Sequence, residues 1–137
     1  MIEKVIDSST LAKFLLKEKG WERVRDILRE RPCTLDLAIK EAANAIWRRT
    51  VLLKDIDVEK ALQILDSLLR MRKIVLEVEP QDLYLKQALK IAIDHGITIY
   101  DALFIAQALN RKAALATSDK QQCEIAFKLS IECIYIE

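Results

Sequence analysis

Asp7, Glu41, Asp101 and Asp119 are the residues of this 137-residue chain whose types and settings could do chemistry. Asp7 follows the apolar pair Val5-Ile6, Glu41 lies inside a helical stretch, Asp101 opens another, and Asp119 follows a second apolar run. Gathered at one point, four carboxylates would make an oxygen-only site for a hard divalent cation, Mg2+ or Mn2+, the equipment for hydrolysing a phosphodiester. Two unit charges ~4 Å apart interact by about 4 kcal/mol at an effective dielectric near ~20, so such a gathering repels itself unless a cation or protons intervene.

Each acid also has an ordinary structural explanation. An Asp between a strand and a helix is an N-cap, which fits Asp7 and Asp119. Ser118 with Gln121, and Thr98 with Asp101, have the spacing of capping boxes. Glu41 is the acid capping leaves unexplained, because it sits about one turn inside its helix among Ala38, Ile39, Ala42 and Ala43. With Asn44 and Arg48 it shares one helical face, which a solvated polar stripe would also explain.

Other site chemistries are poorly provided for. The single histidine, His95, stands just before Gly96 and leaves no His-Cys or His-His pair for a metal and no base for a serine or cysteine nucleophile. With Gly20 and Gly96 as its two glycines the sequence has no phosphate-cradling loop of either nucleotide-binding pattern. Cys33, Cys123 and Cys133 are odd in number and lack C-x-x-C spacing, so they read as buried thiols of a reducing cytosol and not as a disulfide framework.

The elements that must position the acids alternate. A strand ending at Val5-Ile6 leads into a helix stopped by Gly20; a second helix covers residues 22–29. A short extended entry at residues 32–35 precedes a long helix over residues 36–53 with Asp36 as candidate cap. Asp57 caps a stripe of Val58, Ala61, Leu62, Leu65, Leu68 and Leu69 that ends near Arg72. Residues 74–78 read as strand, and Pro80 starts a helix running to His95, with Gly96 as its left-handed stop. The almost wholly apolar helix at residues 100–110 is expected to be central. A strand at 113–116, a helix at 120–129 and a strand at 133–136 complete the order. Strands separated by helices argue for a parallel sheet between helical layers, and in such a sheet ligands sit beyond the carboxyl ends of the strands. Asp7 and Asp119 share that crevice if the first and fourth strands are neighbours.

Length and composition bound the rest. A chain of 137 residues, 52% hydrophobic and carrying two prolines, reads as one domain over residues 1–137, with no linker or repeat. Its formal charge of +1 excludes a protein that coats nucleic acid through a general positive field. Arg48, Arg49, Lys54 and Lys120 are the nearest basic candidates for a polyanion, and for Arg48 and Arg49 a solvated helix face is the plainer reading. Trp21 and Trp47 read as helix packing. No secretory leader precedes the strand-like MIEKVID and no apolar run approaches the ~20 residues of a membrane span, so a soluble cytoplasmic protein without a membrane partner is expected.

Read together, VIDSSTLAKFLL, EAANAIWRR, IYDALFIAQAL and LATSDKQ resemble the PIN domain family of metal-dependent ribonucleases, particularly the VapC-like toxins. The family's strand-terminal Asp with small residues matches Asp7-Ser8-Ser9, and its helical Glu with a following Asn matches Glu41 and Asn44. Its Tyr-Asp-Ala matches Tyr100-Asp101-Ala102, and its Thr-x-Asp-Lys matches Thr117-Ser118-Asp119-Lys120. The resemblance implies a three-layer α/β/α sandwich on a parallel five-stranded sheet. It implies a Mg2+- or Mn2+-dependent endoribonuclease, the toxin of a toxin-antitoxin pair, with RNA as substrate, an antitoxin as partner and homodimers as the assembly. Asp7, Asp101 and Asp119 would be metal ligands and Glu41 a ligand or orienter of the attacking water, supported by Ser8, Asn44 and Thr117. The alternative is a non-catalytic PIN-like module binding RNA or protein, in which the acids are caps and polar contacts.

Overall fold

In the computed structural model, residues 3–137 are described; Met1 and Ile2, part of the expected opening strand, lie outside them. Five short strands are β1 (Lys4–Ile6), β2 (Cys33–Leu35), β3 (Glu77–Glu79), β4 (Ala114–Thr117) and β5 (Cys133–Tyr135). They form one parallel sheet in the order β3-β2-β1-β4-β5. The helices are α1 (Ser8–Leu15), α2 (Trp21–Leu28), α3 (Asp36–Val51), α4 (Val58–Ile74), α5 (Leu85–His95), α6 (Ile99–Arg111) and α7 (Lys120–Lys128). Helices α1, α3 and α4 pack on one another, α5 pairs with α6, and α6 also meets β1, β2 and β4, as the α/β/α sandwich requires.

The three inner strands are buried, with Val5, Ile6, Leu35, Leu115 and Ala116 showing no exposed surface, while the edge strands β3 and β5 are only partly covered. Buried threonines tie strand ends together: Thr10 Oγ1 donates to the Ala116 carbonyl at 3.0 Å and Thr34 Oγ1 to the Ile6 carbonyl at 2.7 Å. Helix α6 is the central one, buried continuously from Ala102 to Ala108, as its apolar run predicts. Gly20 is not the stop of the first helix: α1 ends at Leu15 with Leu16 as its cap, and Gly20 instead caps the start of α2 at φ +91°, where a Cβ would stand 2.9 Å from the Glu137 carbonyl oxygen.

Three further local expectations change. Asp36 is the first residue of α3 and not its cap; Leu35 holds that place, and the Asp36 carboxylate instead accepts the Gln81 N–H at 3.0 Å. Residues 74–76 do not join a strand, because α4 continues to Ile74 and only Glu77–Glu79 pair with β2. Pro80 precedes a 3-10 turn, Gln81–Tyr84, that leads into α5, which then ends at Gly96 in the left-handed region as expected. Trp21 packs against Phe14 beneath the Lys17 ammonium, whereas Trp47 is 50% exposed and does not belong to the core.

Candidate active site

The pairing of β1 with β4 is what brings the strand-terminal acids together. Ile6 lies opposite Ala116 in the register, so Asp7 and the Thr117-Ser118-Asp119 segment leave the sheet side by side, where the strand order reverses. A pocket of about 200 Å³ opens there, lined by Asp7, Ser8, Ser9, Glu41, Asp101, Phe104 and Asp119. All four acids singled out by the sequence line it. Of the supporting residues, Ser8 Oγ donates to Glu41 Oε1 and Thr117 Oγ1 to Asp7 Oδ2 at 2.5 Å, while Asn44 is exposed on α3 and is not among the lining residues.

Capping and site membership turn out to be compatible. Asp7 caps α1: its Oδ1 accepts the Thr10 N–H at 3.0 Å and the Ser9 hydroxyl at 2.8 Å. Asp119 caps α7 through Oδ1 alone, which takes the N–H groups of Gln121 at 2.9 Å and Gln122 at 3.3 Å. In both, a cap fixes the rotamer of a carboxylate that faces the pocket. Asp101 is not a cap, since Thr98 Oγ1 accepts the Asp101 N–H and thereby starts α6. The Ser118–Gln121 capping box does not form; Ser118 Oγ is buried without a hydrogen-bond partner. Glu41, whose alanine and isoleucine neighbours suggest a mostly buried position, is only partly buried and lines the pocket.

The electrostatics are those of carboxylates without a counter-charge. Burial raises the Asp101 pKa from 3.8 to about 6, and the charges of Asp119, Asp7 and Glu41 push it the same way. Burial also raises that of Asp7, against the opposing bonds from Thr117, Thr10 and Ser9. No lysine or arginine lines the pocket. An all-oxygen donor set, mutually repelling and without its own cation, fits Mg2+ or Mn2+.

A match to a PIN domain family model covers residues 4–128. The chain belongs to the PIN domain family. Among relatives of this PIN domain, Ribonuclease VapC3 of Pyrobaculum aerophilum is 33% identical over 124 residues, 88% of this chain and 92% of that protein. Exonuclease VapC9 of the same organism is 31% identical over 120 residues, 88% of this chain and 83% of the other. The crystal structure of PAE2754 from Pyrobaculum aerophilum superposes with a TM-score of 0.71 at 25% identity, covering 90% of this chain and 79% of that one. That of FitAcB from Neisseria gonorrhoeae shares the fold, with a TM-score of 0.61 at 20% identity and 96% coverage of each chain.

Two features of this PIN domain lay outside the sequence reading. Gln122 is 2% exposed and hydrogen-bonded to groups around three of the acids. Its signal was there to be found, because residues 122, 125 and 126 share the buried face of α7 and a glutamine stands on it beside Ile125 and Ala126. The second is a correction: Cys123 and Cys133 are not free thiols but a disulfide joining α7 to β5, with Cα atoms 5.5 Å apart. Spacing could not reveal it, since only the return of the chain from α7 into β5 brings the two side chains face to face. Cys33 is the buried free thiol expected.

Proposed function

We propose that this PIN domain is a Mg2+- or Mn2+-dependent endoribonuclease acting as a single domain in the cytoplasm, and the toxin of a toxin-antitoxin pair. The observation that carries this reading is the common pocket of Asp7, Glu41, Asp101 and Asp119, four acids from four elements around one cavity with no basic side chain in its lining. The names of the two curated relatives, a ribonuclease and an exonuclease both called VapC, support the nuclease class and the toxin. No helix among the described residues is long and apolar enough to cross a membrane.

Asp7, Asp101 and Asp119 would hold the ion, which when bound lowers the pKa of a water and offsets charge on the phosphate. Asp7 and Asp119 arrive pre-oriented by their caps, so little side-chain freedom is lost on binding. Glu41, whose carboxylate accepts the Ser8 hydroxyl proton, would be a further ligand or would orient the attacking water. Thr117 braces Asp7. No side-chain nucleophile is needed, in keeping with a chain whose free cysteine lies buried at β2, with its thiol pKa raised by burial and by bonds to Glu3 and Glu77.

Exposed apolar side chains support the partners. Leu85, Leu89 and Ile93 recur along one face of α5, and Val51, Leu52, Leu53, Val58 and Leu62 surround the α3–α4 turn. Faces of this kind are what a second copy and an antitoxin would cover.

The deciding experiment is incubation with Mn2+ and two labelled RNAs, one linear and one circular. Cleavage of the circle is expected and marks an endonuclease; loss of only linear RNA from an end would make it an exonuclease. If neither is cut by the native protein, the reading fails and the non-catalytic module replaces it.

A further inference from the structure

Gln122 carries an arrangement that neither a cap nor a core position explains. Its Nε2 donates to the Asp101 backbone carbonyl on α6 at 2.9 Å, and its Oε1 accepts from Thr117 Oγ1 on β4 at 2.8 Å. Its backbone N–H is held by Asp119 Oδ1, and the same Thr117 hydroxyl lies 2.5 Å from Asp7 Oδ2 while accepting the Asp119 N–H at 3.0 Å. One buried amide therefore connects the supports of Asp7, Asp101 and Asp119, which arise on three different elements.

Its orientation is fixed. Turning the amide over would set Oε1 against the Asp101 carbonyl oxygen, two acceptors without a proton between them. Held as it is, Oε1 faces Thr117, whose hydroxyl has a single proton and two acceptors within reach, Asp7 Oδ2 and Gln122 Oε1. The Ser9 hydroxyl and the Thr10 N–H hold Asp7 from its other oxygen, so Thr117 is what fixes Oδ2. The 2.5 Å approach to Asp7 Oδ2 holds that proton toward the carboxylate, and Gln122 Oε1 at 2.8 Å keeps the hydroxyl where it meets Asp7.

We propose that Gln122 is a positioning residue of this PIN domain: by holding the Thr117 hydroxyl and the Asp101 backbone carbonyl it sets the spacing of Asp7, Asp101 and Asp119, so that the carboxylates stand ready for a divalent cation. The proposal rests on the nuclease reading above and names a residue that reading did not include. An apolar side chain of similar length would fill the same space in α7 and make none of these bonds. Outer partners of metal-holding groups commonly change affinity by ~10- to 100-fold when removed.

The test compares native protein, Gln122→Met and Gln122→Leu by Mn2+ titration followed by electron paramagnetic resonance, with melting in EDTA and the Mn2+ concentration giving half-maximal RNA cleavage as companions. A third variant, Gln107→Met, is the control, since Gln107 is an equally buried glutamine whose Nε2 bonds the Thr34 carbonyl and Glu79 instead. The expected result is Mn2+ affinity weakened at least ~10-fold in both Gln122 variants, a matching rise in the half-maximal Mn2+ concentration with the rate largely restored at saturation, and no such change in Gln107→Met. Unchanged Mn2+ affinity in whichever Gln122 variant keeps its melting transition overturns the proposal, as does an equal loss in the Gln107 control. Native protein that binds Mn2+ and cuts RNA while the Gln122 variants match it sinks this inference alone; native protein that does neither sinks the nuclease reading with it.

Discussion

The two ends of the sheet both gather carboxylates, and they resolve the resulting repulsion in opposite ways. Beyond the carboxyl ends of the strands stand Asp7, Glu41, Asp101 and Asp119, with no cationic side chain in the pocket lining. At the amino ends of β1 and β3 stand Glu3 and Glu77, and Arg111 reaches both together with Glu79, the last residue of β3: it bonds Glu3, meets Glu77 at 2.8 Å and Glu79 at 3.2 Å. Cys33 adds its thiol, 2.9 Å from Glu3 and 3.0 Å from Glu77, and these three residues bring ligating atoms within 4.8 Å of one another. Helix α6 runs between the two ends, carrying Asp101 in its first turn and Arg111 as its last residue. By proximity of ligating atoms alone the amino end is the better metal site, yet Arg111 already occupies the position of its cation. Whether gathered acids are a support or a site depends on whether the chain provides the counter-charge itself.

The largest expected contrast is in activity. Asp7→Asn and Asp119→Asn should each slow Mn2+-dependent RNA cleavage by at least ~100-fold, about 2.7 kcal/mol of barrier, while Arg111→Met leaves the single-turnover rate of folded protein within about threefold. Comparable losses at both ends would erase the distinction. Next comes stability: Arg111→Met strands three carboxylates and is expected to lower the unfolding free energy by about 2 kcal/mol, below the figure for a fully buried pair because Glu3 and Glu77 are partly solvated. Urea denaturation measures it, and a loss under about 0.5 kcal/mol would mark the amino-end pairs as surface decoration.

Added Mn2+ sharpens the same comparison. At ten times its dissociation constant it should stabilise the native protein and Arg111→Met by about 1.4 kcal/mol each, read as a rise in Tm, and Asp101→Asn much less. A rise abolished by Arg111→Met would instead move the ion to the amino end. The smallest effect is in pH. The Asp101 pKa of about 6 exceeds its ordinary 3.8, so its charge destabilises the metal-free fold above about pH 6 and that penalty fades as pH falls toward 3.8. Glu3 has the opposite sign: its thiol and guanidinium partners lower its pKa below 4.5, a stabilisation present above that value and lost as pH falls through the lowered one. In EDTA, Asp101→Asn should therefore melt above native protein at about pH 7, with the gap narrowed by about pH 5 and closing only toward pH 3.8. A gap constant across that range would contradict the burial and repulsion argued for Asp101.

The fold and the four acids were legible because their signals are local. A strand is an apolar run ended by turn-forming residues, α6 is an unbroken apolar stretch, and an acid one turn inside a helix among alanines stands out. The supports were less legible. Gln122 was hidden by its type, since a glutamine usually lies on a solvated face, and only the packing of α7 against β4 and α6 buries it. Arg111 escaped notice because its partners are 34 and 108 residues away in sequence. Asn44 erred the other way: the helical period put it on the face of Glu41, but the pocket closes before reaching it.

By itself the sequence determined the alternation of strands and helices and the family, and singled out four acids that line one pocket, because each rests on short-range periodicity or on a motif of a few residues. Only the tertiary structure decided which strands are neighbours, which cysteines meet, and which gathering of acids has a cation of its own. Those depend on contacts between residues far apart in the chain, and Coulomb energy responds to distance in space, where sequence separation has no say.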